Sequence, residues 1–356
     1  MSDATRPVLG DGPVCPLPLP DHDTVLLAHG GGGRLTQRLI EELLLPAFDN
    51  PELRRLHDGA VLEAPPGRLA FSTDSFVVSP LFFPGGDIGS LAVHGTVNDL
   101  AMCGATPLWL SVSLILEEGL PLATLRRIVA SLQRAAQAIP VSIVTGDTKV
   151  VGRGQADGVY INTAGIGVVR PGVDLAPQHA RVGDVVLLSG PLAAHGMAIM
   201  SLRESLGFET ALRSDSAALH GLVARLLETA PQAVHVLRDP TRGGVASALN
   251  EIAAAATVGF CLEERAIPVA DGAREACELL GLDPLYVANE GVFLAIVAAE
   301  AADALLAALR ADPLGHAAAA IGTVTAAHPG RVVLRTTIGG TRVVDMLSGE
   351  QLPRIC

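Results

Sequence analysis

The stretch STDSFVVSPLFFPGGDIGSLAVHGTVNDLAMCGATP, Ser72–Pro107, decides how this chain folds, because it passes from strand to helix and back toward strand. Its first residues close the apolar segment RLAFSTDSFVVSP, which reads as a strand. A helix is predicted from about Ile88 to Met102, and it carries Gly89, Ala92, Gly95 and Ala101. Such small residues let a ligand or a neighbouring helix approach the backbone closely. The apolar segment LWLSVSLIL follows directly as the next strand.

The same alternation runs outward in both directions. Upstream, HGGGGRLTQRLIEELLLPAF is a glycine run feeding an amphipathic helix, and GAVLEA reads as a strand. Downstream come the helix LATLRRIVASLQRAAQAI and the strands VSIVTGD and GVYINTAGIGVV. The polar, Pro- and Gly-containing segment RPGVDLAPQHARVGD reads as a domain boundary. Beyond it the pattern restarts with strand VVLLSG, helix HGMAIMSLRESLG, a helix near Leu219–Glu228, and RDPTRGGVASALNEIAAAA. GVFLAIVAA, AEAADALLAALR and RVVLRTT supply a further strand, helix and strand. The alternation predicts an α/β (α+β) protein. The expected divisions are a Pro-rich disordered lead-in (1–24), an N-terminal domain (25–170), a C-terminal α/β domain (171–338) and a flexible tail (339–356).

Composition narrows the function. Hydrophobic residues make up 49% of the 356 residues and charged ones 17%, yet no apolar run approaches the roughly 18 residues a membrane span needs. A chain this apolar is expected to hide surface in a homodimer. Aromatics are only 3%, so Ala, Val and Leu must build the core. A net charge of −12 with no basic run argues against nucleic acid. The five cysteines (Cys15, Cys103, Cys261, Cys277, Cys356) include no C-x-x-C pair, which supports neither a disulfide framework nor a zinc site. The opening residues lack the basic start and apolar stretch of a signal peptide. A cytoplasmic protein is expected.

Several residues stand out as candidates. Of the 25 lysines and arginines, only Lys149 is lysine. The glycine run that includes Gly31, Gly32 and Gly33 precedes a helix, where free N–H groups attract phosphate, although a flexible loop reads the same way. No G-K-[ST] follows, so it is not a P-loop. Asp58, Asp74, Asp99, Asp147 and Asp239 lie near the ends of elements, where carboxylates can converge on Mg²⁺ or serve as caps. His94 and Asn98 share a helix face. Glu290 opens a strongly apolar strand and is a candidate base with a raised pKa. The sequence ends on the thiol of Cys356.

Taken together, HGGGGR, Ser72–Pro107, TGDTKVV, DPTRGG, ANEG and LPRIC closely resemble the HypE family, the carbamoyl dehydratases of NiFe-hydrogenase maturation. The resemblance runs from about Val25 to Cys356. It implies a two-domain PurM-like fold, shared with aminoimidazole ribonucleotide synthetase and selenophosphate synthetase, in which the N-terminal domain dimerises through its sheet. ATP would lie near that interface. The resemblance places Asp58, Asp74, Asp99 and Asp239 as Mg²⁺ ligands. It places Gly31, Gly32, Gly33, Asp87, Asn98, Gly146, Asp147 and Thr148 on the nucleotide. Lys149 and Glu290 would handle protons. Relatives often double the acid at the first metal position, where this sequence has His57 before Asp58.

The resemblance also implies a use for the tail. Cys356 would receive a carbamoyl group from the carbamoyltransferase HypF. ATP-dependent loss of water would leave a thiocyanate, and the HypC–HypD complex would accept the cyanide. About 16 residues beyond Gly340, at ~3.3 Å each, reach at most roughly 50 Å, enough to enter a site and to leave it. Two other readings use the same aspartates: an ATP-dependent synthetase or kinase acting on a free small molecule, and a non-catalytic nucleotide-binding scaffold.

Overall fold

The computed structural model describes residues 22–204, 212–347, 349, 352 and 354–356. Most of the expected Pro-rich lead-in, with Cys15, lies outside the described residues. The first domain begins with α1 (Arg34–Leu39), a π-turn over Ile40–Leu44, and α2 (Leu45–Phe48). Its strands are β1 (Leu69–Phe76), β2 (Phe82–Phe83), β3 (Gly86–Asp87), β4 (Ala105–Glu117), β5 (Ser142–Val151) and β6 (Val159–Val169). The helices α3 (Ile88–Met102) and α4 (Leu122–Gln137) connect them.

Four strands form a sheet in the order β1-β6-β4-β5, antiparallel except for the β4–β5 pair. Alternation sorts its two faces. Ala70 and Phe76 of β1 turn inward under α3, while Leu69 and Phe71 are 52% and 70% exposed on the outer face. Asp87 caps α3 by accepting from the N–H groups of Gly89 and Ser90 at 2.9 and 3.0 Å. Gly95 of α3 rests on Phe76 and leaves no room for a Cβ, so the small-residue face predicted from sequence seats the helix on the sheet.

The second domain contains β7 (Val185–Leu188), α5 (Ala194–Arg203), α6 (His220–Thr229), β8 (Val234–Arg238) and α7 (Gly244–Ala256). It continues with β9 (Gly259–Glu263), α8 (Ala273–Leu280), β10 (Leu294–Val297), α9 (Ala302–Arg310), β11 (Ala319–Thr325), β12 (Val332–Arg335) and β13 (Thr341–Val344). Its sheet runs β13-β12-β9-β11-β7-β10-β8. One face packs on α7 and α8 residues such as Leu249 and Cys277, and the other on α6 and α9 residues such as Leu226 and Leu305.

Two expectations are corrected. GAVLEA (59–64) forms no strand; it has no neighbour to pair with, and Val61 is 72% exposed. The free tail does not begin at Gly339, because Thr341–Val344 is β13, paired antiparallel with β12 and burying Val344. No described helix is long and apolar enough to cross a membrane.

Candidate active site

The last described residues are held against the first domain. The N–H of Val77 donates to the Cys356 carbonyl at 3.0 Å, and that of Ser79 donates to the Arg354 carbonyl at 3.2 Å. Together these add a short strand-like segment just past the end of β1. Arg354 pairs with Asp157, and Arg203 of α5 donates to the Arg354 carbonyl. His195 of α5 meets the Ile355 carbonyl at 2.8 Å. Ile355 and Cys356 are consequently buried in the same apolar cluster as Val78, Phe83 and Ile199. Burial, reinforced by the negative field of Glu290, pushes the Cys356 thiol far up; Arg242 opposes the shift.

Around that thiol the chain gathers carboxylates. Asp74 lies within β1 and Asp99 within α3, where its Oδ2 accepts from Ser72 Oγ at 2.6 Å. Asp239 follows β8. Burial raises all three, and like charge adds to the effect at two of them: Asp74 acts on Asp99, and Asp99 and Asp74 act on Asp239. Asp239 reaches about 7. Glu290, buried in the loop before β10, is raised well above the usual range by burial and by Asp215, Asp239, Asp74 and Asp99. Among the described residues no three His, Cys, Asp or Glu side chains stand close enough together to hold a metal ion as they are. Charge links Asp74, Asp99 and Asp239, opposed in part by Arg242 and Arg238. All-oxygen donors of this kind are the chemistry that suits Mg²⁺, which takes few protein carboxylates and completes its shell with water and phosphate. Asp58 stands apart from this cluster, exposed beside His57 and Gly59.

His57 and Gly59 belong instead to a cavity of about 370 Å³ that also includes Gly30, Gly32 and the β5 segment Gly146–Lys149. Gly32 has φ +76°, and a Cβ on Gly146 would run into the Val112 carbonyl, so both positions require glycine. Gly33 is the N-cap of α1, with Gly31 preceding it in the same turn. The Thr148 N–H donates to Asp147 Oδ1 at 2.8 Å, and Lys149 Nζ lies 3.0 Å from the same oxygen. That ammonium holds the Asp147 carboxyl below its ordinary value. The strand runs through Asp147 rather than ending there.

Two residues placed on the nucleotide by resemblance carry structural work here. Asp87 caps α3. Asn98 clamps the domains together: its amide donates to the carbonyls of Ala217 and Glu290 at 3.0 and 3.4 Å, and its oxygen accepts from the Leu219 N–H at 2.8 Å. His94 is a half-buried histidine whose Nδ1 lies 3.0 Å from Ser216 Oγ, its pKa held down to about 4 by loss of solvent around the ring.

The AIR synthase related protein N-terminal domain family matches residues 56–169, and the corresponding C-terminal domain family matches 181–335. Carbamoyl dehydratase HypE of Azotobacter vinelandii is 58% identical over 333 residues, covering 94% of this chain and 97% of the relative. The chain belongs to the HypE family. A crystal structure of the hydrogenase maturation protein HypE in complex with ATP superposes with a TM-score of 0.89 at 51% identity, covering 93% of this chain and 99% of that one. The HypE chain of a HypE–HypF complex gives 0.76 at 46% identity, covering 87% and 99%.

Two residues that hold this HypE-family chain's Glu290 and terminal segment carry no signal in the sequence. Asp215 is half-buried, accepts from the N–H groups of Glu290 and Gly291, and is lifted by loss of solvent around its carboxyl to about 6. It sits in SDSAAL, a polar run with no motif, so nothing local marks it. His195 was placed on a helix but assigned no role, because its partner is 160 residues away.

Proposed function

We propose that this protein performs the ATP-dependent dehydration of an S-carbamoyl group carried on its own Cys356, supplying cyanide ligands for the iron of NiFe hydrogenase. The observation that carries this reading is the docking of the buried Cys356 thiol within the field of Glu290 and Asp74. The carbamoyl dehydratase activity of the HypE relatives, and the ATP-bound HypE structure, support it.

The overall change is R–S–C(O)NH₂ + ATP → R–S–C≡N + ADP + phosphate + H⁺. The amide oxygen is a poor leaving group until the phosphoryl group of ATP is transferred to it, after which it departs as phosphate. Two N–H protons leave with it. Glu290 is the carboxyl whose charge acts most strongly on the carrier thiol, and its raised pKa suits a base that must hold a proton near neutral pH. The cavity formed by Gly30, Gly32 and Gly146–Lys149 receives the nucleotide. Asp74, Asp99 and Asp239 would hold Mg²⁺, whose chemistry when bound is to neutralise the transferring phosphoryl charge.

Buried as it is, the Cys356 thiol is closed to another protein, so it must leave its groove to be carbamoylated. The HypE–HypF complex supports HypF as the donor, and HypC–HypD would accept the cyanide. The exposed Leu69, Phe71 and Ile115 share the outer face of the four-stranded sheet, a surface suited to a homodimer. A cytoplasmic location accords with these partners. Intact-mass analysis tests the reading. Incubation with HypF and a carbamoyl donor should add one carbamoyl mass, and ATP should then remove one water. A scaffold would stop at the first step, and an enzyme for a free substrate would show neither.

A further inference from the structure

His195 lies in the first turn of α5, wholly buried, with each ring nitrogen engaged. Its Nε2 is 2.8 Å from the Ile355 carbonyl, and its Nδ1 is 2.7 Å from Ser214 Oγ. A carbonyl can only accept, so Nε2 must carry the proton and Nδ1 must accept from the Ser214 hydroxyl. Ser214 Oγ itself accepts from the Ser216 N–H at 3.0 Å, which leaves its hydroxyl hydrogen to serve the imidazole. Phe83 stands edge-to-face with the ring at 5.5 Å between centroids. Burial keeps the imidazole neutral, with its pKa lowered to about 4. Beside it, a Cβ on Gly196 would strike Val287 and crowd Leu352, so the helix start is shaped around the incoming segment.

We propose that His195 is the positioning residue for the carrier cysteine: its Nε2–H grips the peptide carbonyl immediately before Cys356 and turns the thiol toward Glu290 and Asp74. His195 does not touch the carbamoyl group and transfers no proton. It acts through the backbone of Ile355, the peptide unit shared with Cys356, so the angle at which the thiol enters the carboxylate cluster depends on this hydrogen bond. Ser214 fixes the tautomer that makes the bond. Since HypF must meet the thiol outside the groove, the grip serves dehydration and opposes loading. The inference rests on the functional reading above.

Two measurements test it, one of them independent of carbamoyl chemistry. The first is the rate of alkylation of Cys356 in the unloaded protein, read by peptide mass mapping so that the other cysteines are followed separately. His195→Leu, which removes the donor and keeps bulk, should raise this rate about 10-fold, the scale of one neutral hydrogen bond. His195→Gln, whose amide can donate along a similar direction, should stay within about 3-fold of the parent. Ser214→Ala frees the tautomer and leaves the ring in place, so it should fall between them and covers the case in which the leucine variant fails to fold. The second measurement is single-turnover dehydration of pre-carbamoylated protein. The rate should fall about 10-fold in His195→Leu and recover in His195→Gln, with the ATP concentration for half-maximal rate unchanged. Parent-like alkylation in both the His195→Leu and the Ser214→Ala proteins overturns the grip. So does a glutamine variant as impaired as the leucine one. If the parent itself never loses water on adding ATP, the functional reading fails while the alkylation series still decides the role of His195.

Discussion

Asp74 and Gly146 lie on one register line across the four-stranded sheet, joined through Thr163 of β6 and Val112 of β4. Three strand spacings separate them, about 14 Å. The docked Cys356 adds to the β1 side of that sheet, whereas Asp147 and Lys149 occupy its far strand. Lys149 also shares the outer face with Ile115, while the charges that act on the thiol are Glu290, Arg242 and Asp74. One chain thus holds its carrier thiol and its single lysine at opposite margins of the sheet. In the dimer proposed above, a second copy packed on the outer face would supply the other half.

Mixed dimers test this arrangement. Lys149→Arg keeps positive charge but replaces a compact ammonium with a broad planar head. Each of the Lys149→Arg and Cys356→Ala homodimers should dehydrate little. Random mixing should restore about a quarter of the wild-type yield, since half the dimers are heterodimers and each has one complete site of two. Measured by single-turnover mass analysis, a mixture no better than its components would place Lys149 and Cys356 in the same subunit's site.

Asp99 is raised by burial and by the neighbouring Asp74. Asp99→Asn removes one of the mutually repelling charges but retains a partner for Ser72. The nucleotide-free protein should melt at the same temperature or higher, while Mg-ATP affinity measured by calorimetry falls at least 10-fold. Unchanged affinity would make Asp99 purely structural.

Asp239 predicts a pH dependence. Its folded pKa of about 7 exceeds the 3.8 of an unperturbed group. Between those values the folded state binds more protons than the unfolded state, so this group's contribution to stability declines as pH rises from about 4 to 7. Asp239→Asn cannot titrate. Relative to the parent in the absence of nucleotide and magnesium, its melting temperature should therefore become increasingly higher across that window. A constant difference would show that the carboxylate ionises normally.

Much of this was legible in the sequence wherever the signal is local. Ser72–Pro107 gave β1, α3 and β4 because apolar alternation and a run of small residues each report on the adjoining few residues. Asp74, Asp99 and Asp239 stand out by their places near the ends of elements and in the family motifs, and Glu290 because a carboxylate opening an apolar strand needs a partner or a task. The misses share one physical cause, which is that the decisive partner is distant. Asn98 and Asp87, expected on the nucleotide, have partners the motif does not reveal: Leu219 and Ala217 for the one, its own helix start for the other. GAVLEA has strand composition but no neighbouring strand, whereas TRVV has one in β12. Asp215 and His195 gain their roles only when Glu290 and Ile355 fold against them.

Asn98 provides a test of that lesson. Asn98→Ala leaves the buried Leu219 N–H without its acceptor and removes two donors between the domains. The expected cost is about 2–3 kcal/mol in denaturant unfolding, since a lost buried partner exposes the full desolvation penalty. A loss below about 0.5 kcal/mol would mean that the clamp is dispensable.

If ATP removes the oxygen of a carbamoyl group borne on Cys356, that oxygen must end in phosphate, and oxygen labelling follows it. Protein carbamoylated with an ¹⁸O-labelled carbonyl is given ATP for one turnover, and both protein mass and released phosphate are measured. The Cys356 peptide should lose the labelled oxygen together with two hydrogens, and one ¹⁸O should appear in inorganic phosphate. Retention of the label on the peptide, or its loss without transfer to phosphate, would rule out ATP-driven dehydration at Cys356.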